Sequence, residues 1–192
     1  MSITAIILAG GQGSRMGGAD KGLQNWRNKC LIEHTLERIA PQVDQVLISC
    51  NRNIETYRQW DLPCIEDKQP DFAGPLGGIA ACIDSVRTDF TLICPCDTPL
   101  LPLDLVMRLQ QALALNDAQI ATANDGARGH FIHALLESQF ARSAAAELLD
   151  GSGALKHWYK KGRWVEVDFS DQVDAFWNIN SLEELSGREP AL

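Results

Sequence analysis

The chain has 192 residues, 45% hydrophobic and 22% charged, the make-up of an ordinary globular domain long enough to bury a core. Its net charge of −8 argues against sequence-independent binding to nucleic acid or anionic lipid, both of which need a cationic face. No run reaches the ~18 apolar residues of a membrane-spanning helix, and no basic segment precedes the first apolar stretch, so a cytoplasmic location is expected.

In chain order, strands are predicted over Ala5–Leu8, Gln45–Ser49, Cys64–Glu66, Phe90–Cys94, Gln119–Ala123 and Trp164–Val167. Helical periodicity lies between them at Leu31–Ala40, Pro75–Val86, Leu103–Leu115 and Gln139–Leu149. Near-continuous apolar strands alternating with helices indicate an α/β domain of three layers, a mostly parallel sheet with helices on both faces. The whole chain, 1–192, reads as one domain. Six cysteines, at 30, 50, 64, 82, 94 and 96, sit mostly in apolar contexts. Buried free thiols are the simpler reading, because Cys94-Pro-Cys96 lacks the spacing of a zinc site.

In open α/β sheets the ligand lies beyond the carboxyl ends of the strands, which singles out the residues just after each strand. After Leu8 the chain runs Ala9-Gly10-Gly11 and on through Gly13, Gly17 and Gly18, with Arg15 and Lys21 as the loop's cations. Glycines let backbone amides approach a phosphate chain, and the cations offset its charge. The spacing matches neither a dinucleotide fingerprint nor a Walker A loop. The second strand ends in Ser49-Cys50-Asn51-Arg52, and the third is followed by Asp67. Pro95-Cys96-Asp97-Thr98-Pro99 follows the fourth. A carboxylate at Asp97 can hold Mg²⁺ together with substrate phosphates, or cap a helix beginning near Pro102. Gly74-Pro75-Leu76-Gly77-Gly78 lets the chain pass close to a base or ribose before a helix starts. Near the C-terminus, Ser181 to Glu184 has the Ser-x-x-Glu form of a capping box.

The loop reads Leu-Ala-Gly-Gly-x-x-x-Arg-Met-Gly-Gly-x-Asp-Lys-Gly-Leu and resembles the signature of nucleotidyltransferases. Its ending, with Pro-Cys-Asp-Thr-Pro, resembles the molybdenum cofactor guanylyltransferase family, which attaches GMP to molybdopterin. The resemblance runs from Ile3 to about Leu185 and implies a Rossmann-like nucleotidyltransferase fold. It implies that Leu8, Ala9, Gly10, Gly11, Lys21, Ser49, Asn51, Asp67, Gly78 and Asp97 bind GTP. Asp97 would also hold Mg²⁺, for which Mn²⁺ can substitute, and Arg15, Lys21 and Asp97 would be catalytic. Asn178 and Asn180, within Asn-Ile-Asn-Ser-Leu-Glu-Glu-Leu, would stand on the acceptor side. The substrates would be GTP and molybdopterin, with transient contact to a molybdenum-insertion protein or molybdoenzyme chaperone. Three departures from the family pattern stand out. Ser49 occupies an Asn position, Phe131 follows His130 where the family has a His-Pro pair, and Cys30 interrupts a Gly-Lys-Pro-Leu turn. A cytidylyl or sugar-phosphate nucleotidyltransferase, or an idle nucleotide-binding protein, is the competing reading.

Overall fold

The computed structural model describes residues 1–10, 19–67, 74–149, 154–172 and 174–179. Arg15, Gly11 and the other residues of 11–18, Asn180, and the proposed capping box at 181–184 lie outside the described residues. Nine strands are described: β1 (Ile3–Leu8), β2 (Asn25–Trp26), β3 (Lys29–Cys30), β4 (Gln45–Ser49), β5 (Cys64–Ile65), β6 (Phe90–Pro95), β7 (Ile120–Asn124), β8 (Gly129–Glu137) and β9 (Trp164–Asp168). The described α-helices are α1 (Leu31–Ile39), α2 (Ile54–Tyr57), α3 (Gly74–Ile83), α4 (Leu105–Asn116), α5 (Ser138–Ala141), α6 (Ala144–Leu149) and α7 (Leu155–Tyr159).

Seven strands form one sheet in the order β5-β4-β1-β6-β8-β7-β9, and β2 pairs with β3 in a separate hairpin. β1 lies between β4 and β6 and is parallel to both. Only β8 runs against its neighbours β6 and β7, so the other six strands share one direction. Side-chain alternation divides each strand between two helical layers. Ile3, Ala5 and Ile7 of β1 pack with Ile32, Leu36 and Ile39 of α1 and Leu105 and Leu109 of α4. Ile6 of β1 points the other way and packs with Leu76, Ile79 and Ile83 of α3 and Trp158 and Tyr159 of α7. This is the three-layer α/β arrangement that the alternation of elements predicts.

The β2–β3 hairpin, α2, α7 and β8 lie where no element was predicted, and one predicted helix is divided. β8 is a nine-residue strand where the sequence reading named no element. The predicted helix over Gln139–Leu149 is split into α5 and α6. At the break the Arg142 guanidinium donates to the carbonyls of Ile83 (3.3 Å) and Val86 (3.1 Å), satisfying the C-terminal end of α3. Ser143 accepts a 2.8 Å hydrogen bond from Trp158 Nε1, so both break residues tie α5 to neighbouring elements. All six cysteines are free thiols. Burial raises Cys50 and Cys82 to about 12 and lifts Cys94 and Cys96 further, so all four stay neutral near pH 7. Among the described residues no helix is long and apolar enough to cross a membrane.

Candidate active site

The carboxyl ends of β1, β4, β5 and β6 open into a cavity of about 420 Å³, within the range that holds small-molecule ligands. Leu8, Ala9, Gly10, Lys21, Ser49, Asn51, Asp67, Gly78 and Asp97 all line it, so every described residue on the nucleotide list shares one space. Pro75 at the start of α3 and Ile132 of β8 complete the wall. Ile132 was not anticipated, because its strand was not.

The floor is built by strand ends that fasten to one another. Ala9 N–H donates to Ser49 O (2.8 Å), Cys50 N–H to Ile65 O (3.0 Å) and Cys96 N–H to Leu8 O (3.1 Å). Asn51 then bridges two lips of the cavity. Its Oδ1 accepts from the Asp67 backbone at 2.8 Å, while its Nδ2 would lie 3.2 Å from a Cβ placed on Gly10. Close approach, rather than backbone freedom, is what Gly10 provides here. Gly78 works similarly, since an added Cβ would come within 2.5 Å of Ser49 Oγ and 2.8 Å of Leu8 Cδ2. Ser49 is buried and fits against this glycine.

Asp97 stands just beyond β6 and is 7% exposed. Its Oδ2 makes an ion pair with Lys21 Nζ, which also donates to Asn178 Oδ1 at 2.8 Å. Its Oδ1 is buried with no hydrogen-bond partner among the described residues. An unmet carboxylate oxygen costs about 1–3 kcal/mol in an interior, and a hard cation is one ligand that would satisfy it. No trio of His, Cys, Asp or Glu that could enclose a metal is found among the described residues. The donor set therefore fits a metal held by one carboxylate plus substrate oxygens, the habit of Mg²⁺. Asp97 does not cap a helix at Pro102; the helix that follows is α4, and Asp104 occupies its N-cap position.

The loop around Asp97 is held from several sides. Thr35 Oγ1 donates to Cys96 O (3.2 Å), Ile179 N–H donates to Asp97 O (3.2 Å), and Thr98 Oγ1 lies 3.2 Å from His133 Nε2. Burial, with His130 beside it, lowers His133 to about 3, so it is a neutral prop.

A second support escaped the sequence reading. Asp20, 8% exposed, accepts from Tyr57 Oη at 2.6 Å and Asn53 Nδ2 at 3.0 Å. This buried carboxylate fixes the backbone immediately before Lys21 and so sets the cation's position. The only sequence signal was an acidic residue beside a loop lysine, because α2, which brings Tyr57, is four residues long. Tyr57 packs so closely that a Cβ on Gly22 would sit 2.5 Å from its hydroxyl and 3.1 Å from Cys96 Sγ. Gly22→Ala is therefore expected to lower stability by about 1–3 kcal/mol through overpacking, read from the urea midpoint. An unchanged midpoint would show that Tyr57 yields freely.

The chain thus has the nucleotidyltransferase fold, with a cation and a buried carboxylate facing each other across its strand ends. Solved structures share that architecture. Molybdopterin-guanine dinucleotide biosynthesis protein A from Archaeoglobus fulgidus superposes with a TM-score of 0.76 at 19% identity, covering 95% of this chain and 94% of that one. A nucleotidyl transferase from Methanothermobacter gives 0.75 at 18% identity, covering 95% and 94%. Residues 5–167 match the MobA-like NTP transferase domain. A molybdenum cofactor guanylyltransferase of Shewanella sp. (strain MR-4) is 43% identical over 184 residues, 96% of this chain and 93% of its own. The enzyme of that name from Pasteurella multocida is 41% identical over 185 residues, 96% and 98% of the two chains. The chain belongs to the molybdenum cofactor guanylyltransferase family.

Proposed function

We propose that this chain transfers GMP from GTP to the terminal phosphate of molybdopterin, releasing pyrophosphate, in a Mg²⁺-dependent reaction. An oxygen of the acceptor phosphate forms a bond to the α-phosphorus of GTP, and the bond from that phosphorus to the β-phosphate bridging oxygen breaks. The acceptor phosphate is already anionic near neutral pH, so no protein nucleophile is required. Catalysis is positioning and charge stabilisation.

The observation that carries the reading is Asp97, buried with one oxygen unpartnered among the described residues and the other on Lys21, at the strand ends of a nucleotide-sized cavity. Family membership supplies the substrates. Asp97 would hold Mg²⁺, which when bound supplies charge stabilisation for the phosphates. Lys21, with Arg15 from the adjoining loop, neutralises the triphosphate. Asn51 fixes the Asp67 backbone, the Asp67 carboxylate is assigned to the nucleoside, and Gly78 lets the base or ribose lie close to α3. Asn178, already bonded to Lys21, stands between nucleotide and acceptor, and Asn180 two residues on is assigned to the acceptor side.

Titration calorimetry with GTP, CTP, ATP and UTP in the presence of Mg²⁺ tests the base assignment. GTP is expected to bind at least about tenfold more tightly than the others, the equivalent of one well-made hydrogen bond. Preference for CTP would overturn the guanylyl assignment while leaving nucleotidyl transfer, and no binding of any nucleotide would overturn both.

A further inference from the structure

The connection from β4 to α2 reaches two parts of the site. Near its start Asn51 Oδ1 accepts from the Asp67 backbone at 2.8 Å. Two residues on, Asn53 has a φ of 51°, a left-handed conformation that Asn adopts more readily than most residues. Its carbonyl accepts from the Thr56 and Tyr57 N–H groups at 2.8 and 3.1 Å, and this turn opens α2. The same turn brings both side chains to Asp20. Tyr57 Oη donates to Oδ1 at 2.6 Å, and Asn53 Nδ2 donates to Oδ2 at 3.0 Å. Each oxygen of this buried carboxylate therefore has its own neutral donor. Burial pushes the Tyr57 hydroxyl well above its usual range, so it stays protonated and keeps donating.

Those donors matter because of what adjoins Asp20. A buried carboxylate next to a lysine is a strong competitor for its ammonium, yet Lys21 Nζ lies on Asp97 and Asn178. The charges of Asp97, Asp20 and Lys21 all bear on the Cys96 thiol, so two acids stand within reach of one cation. Gly22 marks how tightly these parts meet, since a Cβ there would lie 2.5 Å from Tyr57 Oη and 3.1 Å from Cys96 Sγ. Neither Tyr57 nor Asn53 is among the described residues that line the nucleotide cavity. Any effect they have on the reaction must pass through Asp20 and Lys21.

We propose that Tyr57 and Asn53 are positioning residues for GMP transfer: by occupying both oxygens of Asp20, they keep that carboxylate from drawing Lys21 away from Asp97 and the triphosphate. The inference rests on the proposed function, which puts Lys21 on the phosphates. Without the Tyr57 hydroxyl, Asp20 Oδ1 is a buried acceptor with no donor, and the adjoining ammonium is the group best able to satisfy it. The cation then answers to the wrong acid, and charge stabilisation at the phosphates is lost although every group facing the cavity is still present.

Steady-state GMP transfer on the full chain, in a wild-type and a Lys21→Met background, tests this. Tyr57→Phe removes one donor and keeps the ring against Trp60, 5.9 Å away. Asn53→Gly removes the other at an exposed position, and glycine takes the left-handed backbone without strain. In the wild-type background each is expected to lower kcat/KM for GTP about tenfold, the worth of one hydrogen bond to a charged group. In the Lys21→Met background each should change kcat/KM by less than about twofold, because the group they act through is gone. A merely structural brace would cost the same factor in both backgrounds. That result would overturn the positioning role, as would unchanged kcat/KM in either folded variant, and both leave the guanylyltransferase reading in place. A wild-type chain that binds GTP but transfers no GMP to molybdopterin would instead overturn the proposed function, and this inference with it.

Discussion

Asp97→Asn is expected to lower kcat/KM for GMP transfer by about a hundred- to a thousandfold while the protein stays folded. Asp97 Oδ1 is buried with no hydrogen-bond partner among the described residues. A carboxylate buried with one oxygen unmet costs stability, and its place just beyond β6, lining the cavity, fits the catalytic role proposed for it. Asparagine matches the side chain in size, so packing around Cys96 and Thr98 is retained. It removes the negative charge that pairs with Lys21 and that would hold the proposed Mg²⁺. Stability should change little, since the lost ion pair is offset by relief of the buried charge. Pyrophosphate release and urea unfolding, measured on the same preparation, check both halves. Full activity in a folded Asp97→Asn protein would remove Asp97 from the mechanism.

The parts of the fold that repeat a simple rule were legible in advance. β1, β4 and β6 are short, apolar and fully covered, and their carboxyl ends follow directly from where the apolar runs stop. That is why Ala9, Ser49, Asn51, Asp67 and Asp97 could be grouped before any coordinates. What resisted reading was set by distant partners. β8 contains Ile132-His133-Ala134-Leu135-Leu136, apolar enough to be covered on both faces, and a short run of that kind has no period to separate strand from helix. It is bracketed by residues of loop character, Arg128-Gly129 and Glu137-Ser138, and its antiparallel direction depends on β6 and β7. The split between α5 and α6 was hidden for a similar reason, since the Arg142 guanidinium bonds to the end of α3 and Ser143 accepts from Trp158, both distant in sequence. In the site, the Asp20–Tyr57–Asn53 network joins positions 33 to 37 residues apart. No spacing rule foretells such contacts. Motif reading found the groups that line the cavity and missed the ones that hold them in place.

Lys21→Met should also reduce kcat/KM by about a hundredfold, through loss of charge stabilisation at the phosphates, but with the opposite effect on folding. Lys21 Nζ is the described cation on Asp97, and its side chain is 22% exposed against 9% for its partner. Removing it leaves a buried carboxylate without its counter-charge, an error that costs up to about 3–5 kcal/mol when burial is complete. Solvent access at Lys21 discounts the loss to about 1–3 kcal/mol. Lys21→Met should therefore unfold at lower urea, where Asp97→Asn should not. The two substitutions touch one interaction, so they should not add. In Lys21→Met/Asp97→Asn the stranded charge is gone, and the urea midpoint is expected to return most of the way to wild type while activity stays as low as in either single variant. Recovery of stability without recovery of turnover would separate two roles of the pair, the cation neutralising a buried acid during folding and both groups meeting the triphosphate during reaction. If the double variant is as unstable as Lys21→Met, the cost lies in lost packing along the lysine stem and the ion pair contributes nothing to the fold.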